Sequence, residues 1–293
     1  MNSIQLKSRA KINLSIDVLG KREDGYHIVE MIMQTIDLFD VIEISVIEKD
    51  EIIIKSNSST IPLNEDNIVY KAAKLIKNKY NINEGIEIYI KKNIPVAAGM
   101  AGGSSNAAAV LVGLNKLYNL NLSEEKLREL GLSLGADVPF CISGGACLAE
   151  NIGENLTEIK GLNEDVFILV CKPNIFVSTK EVYEEIDSKE IKNRPDNNQL
   201  IKLLIDNKMK LVAQNMYNVL EEVTKNKYPI IGEIETIMLE NGAMGSMMSG
   251  SGPTVFGLYE NIEDAERSKS ILTEKHREVY IVKSYNKGVE ING

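Results

Sequence analysis

Apolar and polar side chains alternate from residue 8 to residue 18, and this period of two predicts a half-buried β-strand. One face would carry Ala10, Ile12, Leu14, Ile16 and Val18, and the other Lys11, Asn13, Ser15 and Asp17. Similar patterns predict further strands at residues 41–47, 52–55, 85–91 and 145–150. Helical spacing predicts a helix at residues 66–79 and another that starts at Ser123, a good N-cap, and ends near Gly135.

The second half of the chain combines the same elements in a different order. An apolar strand over residues 166–171 is stopped by Pro173. Helices are predicted at residues 179–187, 196–207, 210–224, 229–241 and 262–275, and strands at 253–259 and 278–283. Because strands and helices do not alternate regularly, the pattern favours an α+β fold, with a second module that begins near residue 160.

A glycine-rich loop stands between two of these elements. Residues 95 to 110 read Pro-Val-Ala-Ala-Gly-Met-Ala-Gly-Gly-Ser-Ser-Asn-Ala-Ala-Ala-Val, and a helical pattern starts at their end. Glycines let the backbone approach a ligand, and the start of a helix offers unpaired N–H groups to an anion, most often phosphate. The spacing fits neither a Walker loop, which needs a lysine, nor the Rossmann pattern. The alternative is that glycine and alanine only allow tight helix packing, which does not call for Gly-Gly-Ser-Ser at a helix start.

Composition narrows the classes of function. The 293 residues contain 44% hydrophobic and 26% charged residues, a normal balance for a soluble protein with one large domain or two. A net charge of -9 argues against nucleic acid or an anionic membrane as a partner. Three cysteines without a CxxC pair and two histidines cannot build a zinc site. With no signal peptide and no apolar run of membrane length, the expected location is the cytoplasm.

Candidate chemistry clusters around four short segments. Lys11 and Asn13 project to one side of the first predicted strand, and Asp137 is either an N-cap or a carboxylate that acts on a hydroxyl. Tyr26 and His27 end a polar turn and offer an aromatic face and a hydrogen-bonding ring to a flat ligand, although a solvent-exposed hairpin is the plainer interpretation. A second glycine-serine loop at residues 249–253 is either a hairpin turn or the other wall of a cleft.

Taken together, these motifs resemble those of the GHMP kinases, the superfamily of galactokinase and of homoserine, mevalonate and phosphomevalonate kinases. Residues 95–108 are similar to its ATP-binding motif. The segments at residues 10–14, 20–27, 135–140 and 248–256 narrow the resemblance to the branch that acts on a cytidine diphosphate-linked methylerythritol in the non-mevalonate isoprenoid route. The resemblance covers the whole chain. It implies a two-domain α+β kinase, with an N-terminal domain over residues 1–158, a C-terminal domain over 159–293 and the active site in the cleft between them.

The resemblance also implies a role for each matching residue. Asp137 would act as base on the acceptor hydroxyl or orient it, while Lys11 would lower the pKa of that hydroxyl and hold Asp137. Asn13, Tyr26 and His27 would bind the cytidine end, with Thr179 and Tyr183 from the second domain, Tyr183 lying on the other face of the cytosine. ATP phosphates would be wrapped by Pro95, Val96, Ala97, Ala98, Gly99, Met100, Ala101, Gly102, Gly103, Ser104 and Ser105, with Ser105 also a ligand of Mg²⁺.

The implied reaction transfers the γ-phosphoryl group of ATP to the C2 hydroxyl of the methylerythritol unit. The expected partner is this small molecule alone, and the expected assembly is a monomer or weak homodimer. Two alternatives stay open. One is another GHMP kinase of the homoserine or mevalonate type, against which the Tyr26–His27 pair argues. The other is a non-catalytic nucleotide-binding regulator, which would not need to keep both Lys11 and Asp137.

Overall fold

A computed structural model describes residues 2–292, and its first half is built around a long antiparallel hairpin. The strands of this half are β1 (Ser3–Lys21), β2 (His27–Ile47), β3 (Ile52–Ser56), β4 (Gly85–Lys91), β5 (Ala146–Asn151) and β6 (Asn155–Glu158). Its helices are α1 (Ile68–Tyr80), α2 (Gly102–Leu117), α3 (Glu124–Leu132) and α4 (Val138–Ser143).

The second half is richer in helices. Its strands are β7 (Phe167–Lys172), β8 (Tyr217–Asn218), β9 (Gly245–Met248), β10 (Val255–Tyr259), β11 (Glu278–Val282) and β12 (Val289–Asn292). Its helices are α5 (Thr179–Ile186), α6 (Asn197–Ile205), α7 (Met209–Asn215), α8 (Val219–Lys227), α9 (Ile230–Glu240) and α10 (Ile262–Thr273). No helix between residues 2 and 292 has the length and apolar character needed to cross a bilayer.

The strands form two separate sheets. The larger follows the order β12-β1-β2-β4-β3, with β5 paired to the other end of β2, β6 paired to β5, and β8 beside β1. The smaller is antiparallel, in the order β11-β7-β10-β9, and α9 and α10 pack against it. Two sheets with helices packed on them, without regular β-α alternation, confirm the predicted α+β class.

The first strand differs from its prediction, because β1 is buried on both sides. Its polar residues Lys11, Asn13 and Asp17 are 5%, 0% and 5% exposed. Three irregularities, at Arg9–Lys11, Asn13–Ser15 and Val18–Gly20, shift the register with β2, and the first two change which side of the strand faces each cluster. The strand therefore contributes apolar side chains to two different hydrophobic clusters. Alternation reports two chemically distinct faces, and here the polar face is turned into the protein.

The predicted helix at residues 210–224 is two helices, α7 and α8, separated by the short strand β8. Asn218 causes the break, because its side chain accepts from the Leu220 N–H at 3.0 Å and so caps α8. The same side chain donates to the Met248 and Gly250 carbonyls at 2.9 and 2.8 Å. A polar residue inside an apolar helical pattern thus starts a new helix and anchors the second glycine-serine loop.

The strands β6, β8, β9 and β12 were not predicted. Of these, β12 matters most for domain organisation, because it returns from the end of the chain to pair with β1 at Gln5 to Ser8. The proposed division into residues 1–158 and 159–293 therefore stays a prediction, and the last strand crosses it to complete the first sheet.

Helix α2 packs on the β1–β2 hairpin through Gly113. An added Cβ there would lie 2.6 Å from Ile44 Cδ1 and 3.0 Å from Leu6 Cδ1. We therefore expect Gly113→Ala to lower the free energy of unfolding, since overpacking costs about 1–3 kcal/mol and the gain in helix propensity is only about 1 kcal/mol. Chemical denaturation measures the difference.

Gly232→Ala in α9 is the matched control, because its Cβ would meet only the flexible end of Lys225 at 3.4 Å. This variant should be as stable as the wild type, or slightly more so. Equal stabilities of the two variants would contradict the packing argument.

Candidate active site

A cavity of about 940 Å³ lies where the β1–β2 hairpin, the glycine loop, α5 and the second glycine-serine loop meet. The volume suits a ligand of nucleotide size. Its walls are formed by both halves of the chain, so its shape depends on how these halves are joined.

The glycine loop carries three residues with positive φ. Ala97, Gly99 and Ala101 have φ values of 52°, 73° and 56°. Ala101 is also the N-cap of α2, and its side chain makes no capping hydrogen bond, so the first N–H groups of the helix are left for a ligand. Since these groups and the helix dipole attract anions, and Gly102, Gly103 and Ser104 line the cavity, this end of the cavity is suited to phosphate.

The loop is fixed from two sides by backbone contacts. The Met100 carbonyl accepts from the Lys11 N–H at 3.2 Å, which ties the loop to β1. Ser249 Oγ donates to the Gly99 carbonyl at 3.1 Å. At Gly99 an added Cβ would lie only 2.2 Å from the Ser249 carbonyl oxygen. The second glycine-serine loop is therefore packed directly on the first.

An ammonium and a carboxylate meet beside this loop. Lys11 Nζ donates to Asn13 Oδ1 at 2.7 Å and lies 3.8 Å from Asp137 Oδ2. The Lys11 side chain is 6% exposed and that of Asp137 is 32% exposed, so the carboxylate is the more accessible partner. Asp137 precedes α4, but its side chain makes no capping bond. It is thus available to a ligand, as a residue that acts on a hydroxyl must be.

The other end of the cavity is lined by aromatic rings. Those of His27 and Tyr183 lie 4.7 Å apart between centroids, inclined at 37°. His27 Nε2 lies 2.6 Å from Asp187 Oδ1, and Lys21 Nζ donates to Asp187 Oδ2 at 2.6 Å. The hydrogen bond from Lys21 is the main reason that the pKa of Asp187 is lowered. Because Asp187 ends α5, this ionic contact holds α5 against the hairpin turn.

Two further features show that α5 lies close to Asp137 and to the second glycine-serine loop. Burial, together with the Asp137 carboxylate, raises the pKa of Tyr183. Thr179 Oγ1 and Ser251 Oγ are 2.8 Å apart, which links the start of α5 to the second glycine-serine loop. The helix is therefore attached at both ends and forms one wall of the cavity.

Family models match both halves of the chain. The model of the GHMP kinases N terminal domain matches residues 67–145, and that of the GHMP kinases C terminal matches residues 200–278. The 4-diphosphocytidyl-2-C-methyl-D-erythritol kinase of Clostridioides difficile (strain 630) is 63% identical over 293 residues, 100% of this chain and 99% of the relative. That of Alkaliphilus metalliredigens (strain QYMF) is 52% identical over 98% of each chain. The chain belongs to the GHMP kinase family, among its 4-diphosphocytidyl-2-C-methyl-D-erythritol kinases.

Solved structures agree with this assignment. A crystal structure of 4-(cytidine 5'-diphospho)-2C-methyl-D-erythritol kinase superposes with a TM-score of 0.81 at 28% identity, covering 96% of this chain and 99% of that one. Mevalonate kinase from L. major, in complex with R-mevalonate, has a TM-score of 0.76 at 16% identity, covering 96% and 95% of the two chains, and shows the same fold. The protein is thus an ATP-dependent kinase with the two-domain GHMP fold.

Most of the residues singled out in the sequence meet in this cavity. Its lining includes Lys11, Asn13, Tyr26, His27, Pro95, Val96, Ala97, Ala98, Gly99, Ala101, Gly102, Gly103, Ser104, Asp137, Thr179 and Tyr183. Tyr26 is 58% exposed and stands at the rim. Met100 and Ser105 are buried away from the cavity, at 1% and 0% exposure. The predicted roles of all these residues stay predictions, but Ser104 rather than Ser105 is the hydroxyl that faces the cavity.

The structure adds residues that sequence reasoning missed. Lys92 and Asn106 line the cavity beneath the glycine loop, and Lys21 and Asp187 support His27 at the other end. Lys92 and Asn106 stand on either side of the loop in the sequence, so they could have been predicted as site residues from their position alone. Asp187 could not have been predicted in this way, because it lies 160 residues from His27 and nothing in its local sequence marks it.

Within residues 2–292 no three acidic, histidine or cysteine side chains gather as a metal cluster. A Mg²⁺ ion in this cavity would therefore be held as in many nucleotide sites, by phosphate oxygens and water together with one or two protein ligands.

The contact between the two glycine loops leads to a prediction at Gly99. Gly99→Ala should raise the KM for ATP about tenfold or more, because the new Cβ would push the loop off Ser249 and displace the N–H groups around it. Steady-state kinetics with varied ATP measures this.

Gly145→Ala is the matched control. Gly145 has a φ of 74°, against 73° for Gly99, but its Cβ would meet only the Asn286 carbonyl oxygen at an ordinary 3.6 Å. Both substitutions therefore place an alanine at a similar positive φ, but the clash with a neighbouring carbonyl is absent at Gly145. A similar KM for ATP in both variants would show that strain, not the contact between the loops, is responsible.

Proposed function

We propose that this protein transfers the γ-phosphoryl group of ATP to the C2 hydroxyl of 4-diphosphocytidyl-2-C-methyl-D-erythritol. The observation that carries the proposal is the 3.8 Å approach of Lys11 Nζ to Asp137 Oδ2, in a cavity that also receives the uncapped start of α2. Membership of the kinases named for this acceptor supports the choice of substrate.

In the proposed reaction, Asp137 takes the proton from the acceptor hydroxyl as the hydroxyl oxygen attacks the γ-phosphorus of ATP. The bond between the γ-phosphorus and the β,γ-bridging oxygen breaks, and ADP leaves. Phosphoryl transfer asks a protein mainly for positioning and for stabilisation of charge. Lys11 supplies charge beside the attacking oxygen and orients Asp137, and Asn13 fixes the ammonium through its side-chain oxygen at 2.7 Å. A hindered hydroxyl is a poor nucleophile, so a carboxylate held in this way is suited to it.

The backbone N–H groups at the start of α2 would bind the ATP phosphates. Mg²⁺, when bound with ATP, would neutralise phosphate charge, and the Ser104 hydroxyl is the candidate protein ligand because it faces the cavity. The proposed domains, residues 1–158 and 159–293, would supply opposite walls of the cavity, since the glycine loop lies in the first and α5 in the second.

The side chains at the aromatic end of the cavity are suited to binding a cytosine base. In the tautomer that donates from Nε2 to Asp187, the His27 ring offers Nδ1 as an acceptor, the partner that the cytosine 4-amino group needs. Uracil carries a carbonyl oxygen at that position and would meet another acceptor. Tyr183 lies against His27 and offers a ring for stacking from α5, and Tyr26 offers a second ring from the rim.

Asp137→Asn tests the catalytic step. We expect kcat to fall by about 10²–10⁴, because the amide cannot accept the hydroxyl proton, while the affinity for ATP stays close to that of the wild type. Single-turnover kinetics and calorimetry with a nucleotide measure the two quantities. Asp66→Asn is the control, since Asp66 also lines the cavity but does not contact Lys11, and its kcat should be retained. Equal kcat values for the two variants would rule out Asp137 as the base.

A panel of acceptors tests the substrate. The kcat/KM for the cytidine diphosphate-linked methylerythritol should exceed that for its uridine analogue roughly ten- to a hundredfold, because one buried hydrogen bond is lost. Tyr183→Ala should weaken acceptor binding by about 1–3 kcal/mol with an unchanged KM for ATP, whereas Tyr183→Phe keeps the ring and should behave as the wild type. Equal efficiency with methylerythritol phosphate lacking the nucleoside would favour another GHMP substrate.

A further inference from the structure

Asp40 lies at the base of the glycine loop and is completely buried. Its Oδ1 accepts from the Asn93 and Ile94 N–H groups at 2.7 and 2.8 Å. Its Oδ2 accepts from Asn106 Nδ2 at 2.8 Å and from Lys92 Nζ. Both carboxylate oxygens therefore have two donors each, and one of these donors is charged, so the buried negative charge is well stabilised.

The partners of Asp40 are the two ends of the loop. Residues 92–94 come immediately before Pro95, and Asn106 comes immediately after Ser105. One carboxylate thus joins the chain that enters the phosphate-binding segment to the helix that leaves it. Asn106 is held further by Ser8 of β1, whose Oγ accepts from Nδ2 at 2.8 Å.

The charge of Asp40 also matters. Lys92 Nζ lies under the first turn of α2, where an added Cβ on Gly102 would be 3.2 Å from it. A buried ammonium at the positive end of a helix dipole is unfavourable without a nearby anion. Asp40 provides that anion, so the start of α2 stays available for the phosphates of a ligand.

We propose that Asp40 is a positioning residue for ATP: it closes the base of the glycine loop and sets the affinity for the nucleotide without touching it. The proposal rests on the proposed function in one respect, that the loop binds the phosphates of ATP. Asp40 lines no part of the cavity, and its partners Lys92 and Asn106 do. Its effect on the ligand therefore passes through them and through the Asn93 and Ile94 amides.

Asp40→Asn is the decisive variant, since it keeps the shape but removes the charge and turns an NH₂ group toward the Lys92 and Asn106 donors. We expect the Kd for ADP and the KM for ATP to rise about ten- to a hundredfold, because small displacements of the loop carry large costs. The KM for the cytidine acceptor should stay near that of the wild type. A loss of folded protein alone would lower the apparent kcat and leave both KM values unchanged, and that result would overturn the proposal.

Asp37→Asn is the matched control. Asp37 lies on the same strand and pairs with Arg9 at 3.3 Å, but its side chain is 44% exposed. The hydrogen bonds from residues 92–94 and Asn106 at the two ends of the loop are accepted by Asp40, not by Asp37. We expect its nucleotide affinity to match that of the wild type. A rise equal to that of Asp40→Asn would show that any carboxylate lost from β2 has this effect, which would also overturn the proposal.

Ser8→Ala covers the case in which Asp40→Asn does not fold. It removes only the Ser8 acceptor of Asn106 and leaves no charge unpaired. A severalfold rise in the Kd for ADP would support the proposal, and an unchanged Kd would count against it. Because ADP binding needs no acceptor, these results stand even if the wild type fails to phosphorylate the cytidine substrate, which would instead refute the proposed function.

Discussion

The polar side chains of β1 between Ser8 and Asp17 are buried, and much of the structure follows from the need to give them partners. Lys11 pairs with Asn13 and Asp137 of the first half. Ser15 Oγ donates to Asn197 Oδ1 at 2.5 Å and accepts from the Ile32 N–H at 3.1 Å, so the second half of the chain is joined to the hairpin here. An unpaired buried polar group would cost about 1–3 kcal/mol, so each contact fixes the position of the segment that supplies it.

The same requirement extends along the strand. Burial raises the pKa of Asp17, and the charge of Arg194 opposes this shift across a 2.5 Å contact that also ties the segment after α5 to the strand. The segments that carry Asp137, Tyr183 and Asn197 are thus arranged around one strand. The cavity lies where these connections converge, which explains why residues far apart in the sequence reach a common ligand.

The sequence predicted the elements with local causes. The glycine loop and α2 were recognisable from Gly-Gly-Ser-Ser before an apolar helical pattern, and Lys11 and Asp137 from the resemblance to GHMP kinases. Most of what failed depended on distant partners. The polar face of β1 was predicted to be exposed because periodicity cannot tell solvent from a buried polar cleft. The break at Asn218 was missed for another reason, because its capping bond to the Leu220 N–H is local but lies inside apolar spacing that reads as one helix. Asp187 and Asp40 act through contacts that no local pattern records.

The charges around the cavity explain why a glycine loop is needed. Among the described residues, the four lysines that line the cavity each face a carboxylate: Lys11 meets Asp137, Lys21 meets Asp187, Lys92 meets Asp40 and Lys180 meets Glu184. The cavity therefore holds little uncompensated positive charge, in a protein whose net charge is -9.

Attraction for a polyanion must come largely from oriented backbone N–H groups and the α2 dipole, which act only at close range. Such binding tolerates no side chain between backbone and phosphate, and it depends on the loop keeping its shape. Two contacts keep the loop rigid: Ser249 of the second glycine-serine loop bonds to Gly99, and Asp40 bonds to the residues at the base of the loop.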